Sequence, residues 1–491
     1  MGTDETIEHA DGRVELTRPE ELKASPLYNH DLAPVSVADR TWNTWDYAAL
    51  WVSMAHCIPT YTLASTMIAA GMAWWQALGT ILLGNLIVLV PILLNSHPGT
   101  KYGIPFPVFA RAAYGTYGAN LPALLRAIVA CGWFGINTWF GGLALQTFSA
   151  TISPTHPLPT WLAFMLFWGI NILVIYRGMD VLRRVERWAA PYVLVMTALL
   201  VGWAIWRAGG LGPIISRTSF DTSAAHTTLW AVAVPALTGT IAFWSTLSLN
   251  MPDFTRFGRS QREQVVGQAV ALPSTMTIFA AMGIVITSAS AVIYGKPVWN
   301  PIELAGHFSS RIIVGIAMFT AVIATLAVNI AANVVSPAND FANAFPKKID
   351  FKRGGLITGV LGIAMMPWEL VKDWHRYIDG WLGGYGGALG TVAGVLIVDY
   401  WVIRKTRLDL PSLYSVEGAY RYKNGWNGAA VIATLAGMAC ALPGAFIDAL
   451  APVYQWSWFV GFGVAGVLYW LLMRTSTPRP TSPIPEATVV R

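Results

Sequence analysis

The chain has 491 residues, of which 55% are hydrophobic and only 12% charged, with a mean hydropathy of +0.50. Soluble domains carry about twice that charged fraction, so a water-soluble fold is excluded. The formal net charge of +6 does not mark a nucleic-acid surface, because the Lys and Arg residues gather in short connections between apolar stretches, where they report topology.

Residues 1–45 are polar and acidic, so no cleavable leader is expected there and the first span is expected to direct insertion. From Tyr47 to Thr100 there is no Asp, Glu, Lys or Arg, and further uncharged runs follow at 127–176, 188–206, 222–252, 264–295, 312–339, 380–398 and 449–473. Crossing the hydrocarbon takes about 20 apolar residues. With turn signals as boundaries, about twelve spans are expected: 46–72, 75–97, 119–150, 157–176, 188–207, 228–250, 264–294, 311–340, 354–368, 377–402, 428–447 and 452–473. The reading is an all-α polytopic membrane protein. Basic residues concentrate after the even-numbered spans, so both termini are expected in the cytoplasm and the chain in the cytoplasmic (inner) membrane. The tail at 474–491 is rich in Pro, Ser and Thr and is expected to be disordered. Cys57, Cys131 and Cys440 all lie in apolar runs, which argues against a disulfide framework.

Span one contains AHCIPTYTLA, Ala55 to Ala64. Pro59 has no backbone N–H and disturbs a regular helix. Span six contains VPALTGTIAFWSTLSLNMPDF, with Pro235, Gly239 and Pro252. The two interruptions stand five spans apart, at matching places of a five-plus-five arrangement. Interrupted helices so placed point to the midplane site of a secondary transporter; a tolerated structural kink is the alternative.

Polar groups inside a bilayer usually face a cavity or another helix. In span three, Trp133 and Asn137 are spaced i, i+4 and share a face. They suit a flat heterocycle stacked on the indole and hydrogen-bonded by the amide, or else an interfacial Trp and an interhelical bond. Trp244 in span six is a possible second plate. Asn329 and Asn333 in span eight again lie i, i+4. His56 is either a proton carrier, with an ordinary pKa near 6.5, or a neutral imidazole bonded to the opened backbone. Cys57 reads as a small hydrophobe. The span-ten glycines, Gly383, Gly386, Gly387, Gly390 and Gly394, read as helix-packing positions. No metal cluster, catalytic triad or nucleotide motif is visible in the sequence.

At these residues the chain resembles nucleobase–cation symporter family 1, most strongly its bacterial allantoin permeases. The likeness runs through LYNHDLAP, RTWNTWDYAALW, SHPGTKYGIPFPVFARAAYG, NMPDFTRF, NIAANVVSPAND, GIAMMPW and VDYWVIRKTRLDLPSLYSVEGAYRY. The resemblance implies a leucine-transporter-type fold with two inverted five-helix repeats, 46–208 and 209–402, a loop at 403–427 and two extra helices in 428–473. It implies a substrate ring held between Trp133 and Trp244, its polar edge read by Asn137 and Asn333, with Phe243 offering backbone and Tyr385 near the segment that closes over the ligand. Two positions depart from the family pattern: the span-three amide is the short Asn137, and Cys57 stands where relatives often carry Gln or Asn. A third departure concerns the ion. The positions matching a sodium site are Ser53, His56, Ala324, Ala327 and Val328; the last two lack the hydroxyl a hard cation uses. The expectation is therefore a permease for allantoin or a hydantoin, coupled to H+ rather than Na+, without cofactor, with the lipid bilayer and a small heterocycle as its partners. A uracil, cytosine or purine permease, or a non-transporting membrane receptor on the same scaffold, are the alternatives.

Overall fold

The computed structural model describes residues 5–177, 179–217, 219–221, 227–371 and 380–475. The tail expected to be disordered lies outside the described residues beyond Thr475, as does part of the tenth span. Among the described residues, eight helices are long and apolar enough to cross a bilayer, and one bent pair makes a further span. The broken first span, Thr160–Ile175 and Phe351–Ala364 complete the twelve expected stretches.

The N-terminal segment opens with a small antiparallel pair, β1 (Thr6–Glu8) and β2 (Val14–Leu16). Helix α1 (Thr44–Ala55) starts at a capping box: the Asn43 side chain accepts from the Trp45 and Asp46 N–H groups, and Asp46 accepts from the Asn43 N–H at 3.0 Å. It stops at His56 and Cys57, whose backbone is non-helical, and α2 (Ile58–Ala69) resumes the span. The break therefore precedes Pro59, which sits in the first turn of α2, where a missing N–H leaves no hydrogen bond unmade.

Next come α3 (Trp74–Tyr102), α4 (Phe106–Tyr114), α5 (Asn120–Ile152), α6 (Thr160–Ile175) and α7 (Met179–Ala208). Span six divides into α8 (Leu229–Phe243), α9 (Leu247–Asn250) and α10 (Pro252–Thr255), bent by 41° at the break. Then follow α11 (Gln261–Tyr294), α12 (Pro301–Gly306) and α13 (Arg311–Asn333). Span eight, expected as one helix, kinks at Val334 and continues as α14 (Val335–Ala344). The cause is Pro337, whose ring clashes with the carbonyl four residues back, that of Asn333. The chain closes with α15 (Phe351–Ala364), α16 (Pro367–Leu370), α17 (Gly383–Ile397), α18 (Gly428–Ala441) and α19 (Ser457–Thr475).

Helix α5 is central, packing on α6, α13, α14, α15 and α17. Helix α17 lies against α19, and its glycines permit the approach. A Cβ at Gly394 would stand 2.3 Å from the Phe462 carbonyl oxygen, and one at Gly390 2.8 Å from that of Trp458. Without a hydrophobic driving force between helices in lipid, such close backbone contact supplies the attraction. Exposed Val90, Leu199, Ile312 and Val467 lie on the outside of the bundle, where hydrocarbon replaces water.

The N-terminal segment is laced to one face of the bundle. Arg40, buried, donates to the carbonyls of Val14, Val35, Thr100 and Lys101 at 2.9–3.2 Å. Two of those carbonyls belong to the last turn of α3, so the guanidinium acts as a cap. Burial lowers the Arg40 pKa to about 10, which still leaves it charged at neutral pH. Asn29 donates to the Pro346 and Ile349 carbonyls at 2.8 Å, and the Tyr414 hydroxyl donates to the Leu32 carbonyl at 2.7 Å.

Candidate functional site

One cavity lies where the two broken spans meet α5 and α13. Its walls are Met54, Cys57, Trp133, Asn137, Phe243, Trp244, Thr246, Leu247, Val328, Ala332 and Asn333. Six of the residues singled out in the sequence for the substrate thus surround one space, although they come from four separate spans. The room open to a water-sized sphere is about 30 Å³, enough for a water or two. A heterocycle needs the walls to part.

The aromatic wall is built by the second break. Trp244 is the C-cap of α8, and the Ser245 hydroxyl donates to the Ile241 carbonyl at 3.2 Å, covering backbone that the break would leave bare. The Phe243 ring stands 5.3 Å from that of Trp133 at 73° and 4.9 Å from that of Trp244 at 82°. Trp51 meets Trp244 edge-on at 5.1 Å. Tyr385, on α17, does not line the cavity. Its hydroxyl accepts from the Trp133 indole N–H at 3.2 Å and so fixes that ring.

The polar edge comes from α5 and α13. The Asn137 amide donates to the Trp133 carbonyl at 3.2 Å, and the Asn333 amide donates to Asn329 Oδ1 at 3.1 Å. Because the helix ends at Asn333, this side chain stands at the rim of the cavity. Cys57 caps α2 without a side-chain cap bond, and its sulfur lies 3.3 Å from the Thr60 hydroxyl. Thr60 also donates to the Ala55 carbonyl at 2.7 Å, which also accepts the Cys57 N–H at 3.1 Å.

The residues matched to a cation site are less closely assembled. Ser53 is buried on α1, which packs on α13, and its hydroxyl has no hydrogen-bond partner among the described residues. Ala324, Ala327 and Val328 present hydrocarbon from α13, and of the five only Val328 lines the cavity. The His56 imidazole turns away toward α7: its Nε2 lies 2.8 Å from the Thr197 hydroxyl and 2.9 Å from that of Tyr61. It is thus bonded to two side-chain hydroxyls, one on α7 and one on α2.

Several neighbours of the site carried no usable signal in the sequence. Met54, Leu247 and Ala332 are apolar residues among apolar residues. Arg126, fully buried at the start of α5, donates to the Ala332 carbonyl at 3.1 Å, next to Asn333. Its charge interacts with Asp340 and Asp253, and among the described residues neither Asp340 oxygen has a hydrogen-bond partner. Among the described residues there is no group of His, Cys, Asp and Glu able to hold a metal ion.

Two spans broken at matching places, with aromatic plates and amides converging between them, define a membrane transporter rather than an enzyme. Residues 34–461 match the family model described as permease for cytosine/purines, uracil, thiamine, allantoin. The chain belongs to that family. It is 42% identical to the allantoin permease of Bacillus subtilis over 93% of this chain and 95% of that one. It is 41% identical to the purine-uracil permease NCS1 of Arabidopsis thaliana over 91% of this chain and 78% of that one. Among solved structures it resembles Mhp1, a nucleobase-cation-symport-1 family transporter in a closed conformation with bromovinylhydantoin bound, at a TM-score of 0.76 and 24% identity, covering 91% and 95% of the two chains. The fold is therefore the leucine-transporter-type 5+5 inverted repeat with two added helices, as the resemblance implied.

Proposed function

We propose that this permease imports a neutral planar heterocycle bearing ureide or lactam groups by alternating access, allantoin or a hydantoin first and uracil or a related nucleobase second. The observation that carries the reading is the convergence of Trp133, Trp244, Asn137 and Asn333 on one cavity. Indole faces favour a flat ring, and amides match its N–H and C=O groups. The Bacillus relative named for allantoin supports the first choice; the Arabidopsis relative named for purines and uracil keeps the second open. Coupling to H+ rather than Na+ is supported by the hydrocarbon side chains of Ala327 and Val328, which offer a hard cation no oxygen. Asp340 and Asp253 are buried carboxylates available for the proton. The Lys and Arg bias supports an inner-membrane protein with both termini cytoplasmic.

The test is uptake of labelled allantoin, hydantoin and uracil in transport-deficient bacteria, with each ring as competitor for the others. Allantoin or hydantoin uptake should survive replacement of Na+ by choline and collapse with a protonophore. Loss of uptake on Na+ removal alone would refute the ion assignment, and no uptake of any ring would refute the permease reading.

A further inference from the structure

The amides around the cavity have a direction, and it is set far from the cavity. In α6, fully buried Asn171 donates through Nδ2 to the Phe167 carbonyl at 2.8 Å. A backbone carbonyl only accepts, so the amide cannot be reversed without losing that bond. Asn171 Oδ1 therefore faces Asn329, whose Nδ2 lies 3.1 Å away. The same Nδ2 lies 3.3 Å from the Phe134 carbonyl and 3.0 Å from Thr138 Oγ1. The Thr138 proton is already committed to the Phe134 carbonyl at 2.7 Å. All three neighbours accept, and Asn329 is fixed with its nitrogen toward them. Its Oδ1 then takes the Asn333 Nδ2 at 3.1 Å. The relay ends at Asn333, a wall of the cavity, with its nitrogen engaged and its oxygen left over. Asn137 reaches the same result separately, since its nitrogen is held by the Trp133 carbonyl. Among the described residues neither oxygen receives a protein donor.

We infer that Asn171, Asn329 and Thr138 are positioning residues that turn the Asn333 oxygen to the substrate edge of the cavity, which with the separately held Asn137 oxygen gives that edge two hydrogen-bond acceptors, so the site selects rings presenting two N–H donors. This rests on the reading of the cavity as a heterocycle site and narrows it: the ligand class is a neutral lactam, imide or ureide with its N–H groups unsubstituted. A ring with those nitrogens alkylated leaves two buried carbonyl oxygens unpaired, which binding sites penalise strongly.

The experiment is a tryptophan-fluorescence titration of the purified full-length protein with hydantoin, 1-methylhydantoin, 3-methylhydantoin and 1,3-dimethylhydantoin. For the unaltered protein the dimethyl ring should bind about tenfold or more weaker than hydantoin. Asn171→Leu, which frees Asn333 and leaves Asn137 held, should weaken hydantoin about fivefold and leave the dimethyl ring nearly unchanged, so that discrimination narrows. Asn171→Asp, which accepts from Asn329 whether or not it is protonated, should restore discrimination. Thr138→Val, nearly isosteric, should move the ratio the same way by less, and it decides the matter where Asn171→Leu does not fold. Discrimination unchanged in both Asn171→Leu and Thr138→Val, with thermal unfolding as in the parent protein, overturns the inference. Equal binding of all four rings by the parent also overturns it but leaves the heterocycle site standing. Binding of none of them, nor of allantoin or uracil, removes the heterocycle site and the inference with it.

Discussion

The two broken spans do different things with the same device. At the first, between α1 and α2, the gap is two residues wide and is closed by polar side chains: Thr60 covers the Ala55 carbonyl, and His56 is held by Tyr61 of α2 and Thr197 of α7. What reaches the cavity is one small soft side chain, Cys57, with Met54 beside it. At the second, between α8 and α9, Phe243 and Trp244 both face the cavity and Trp51 braces the latter from behind. The two breaks thus present different surfaces to the cavity, one two aromatic rings and the other a small side chain. A Pro at the break is not what they share. Pro59 lies inside the first turn of α2, and Pro235 lies within α8 before its break.

Five substitutions would break or sharpen that comparison. The largest effect is expected from Trp244→Ala, with Trp133→Ala as its partner. Losing a stacking plate costs about 1–3 kcal/mol, so ring affinity measured by competition should fall roughly ten- to hundredfold; unaltered affinity would show that the second break is not the plate. Next, Cys57→Asn adds a donor and an acceptor at the first break. It should reorder the preference among allantoin, hydantoin and uracil by up to about tenfold, and an unmoved profile would mean that the first break does not read the ring. Smaller still, Thr60→Val leaves the Ala55 carbonyl with the Cys57 N–H alone and should lower unfolding stability by about 1 kcal/mol. Smallest is Pro59→Ala, expected to change stability by less than about 1 kcal/mol and uptake hardly at all. A severe loss there would place the origin of the first break in Pro59 after all.

Much of the architecture was legible because a bilayer forbids charge and demands length. The uncharged runs located the spans, although span eight was expected to run unbroken from 311 to 340 and instead kinks at Val334. Trp133 and Asn137 shared a face by spacing alone. What stayed hidden depends on partners remote in sequence. Asn171 is an unremarked amide in span four until its partner Asn329, 158 residues later, is brought beside it. Arg126, just before an uncharged run, was not singled out; in the fold it is fully buried and its charge interacts with Asp340. The side-chain partners of His56 lie on α7 and α2, and nothing local in AHCIP indicates which way the ring turns.

The lacing of the N-terminal segment has a consequence for how the molecule is made. Tyr414, whose hydroxyl holds the Leu32 carbonyl, is synthesised 382 residues after it. At roughly 5–20 residues per second, that partner leaves the ribosome about 20–75 s later. Arg40 can settle on the end of α3 early, since Thr100 lies only 60 residues on; Asn29 waits for Pro346 and Ile349 beyond the eighth span, and the Leu32 carbonyl for Tyr414 beyond the tenth. The part of the chain born first is thus fastened in stages, and its last bond forms when the loop at 403–427 has arrived.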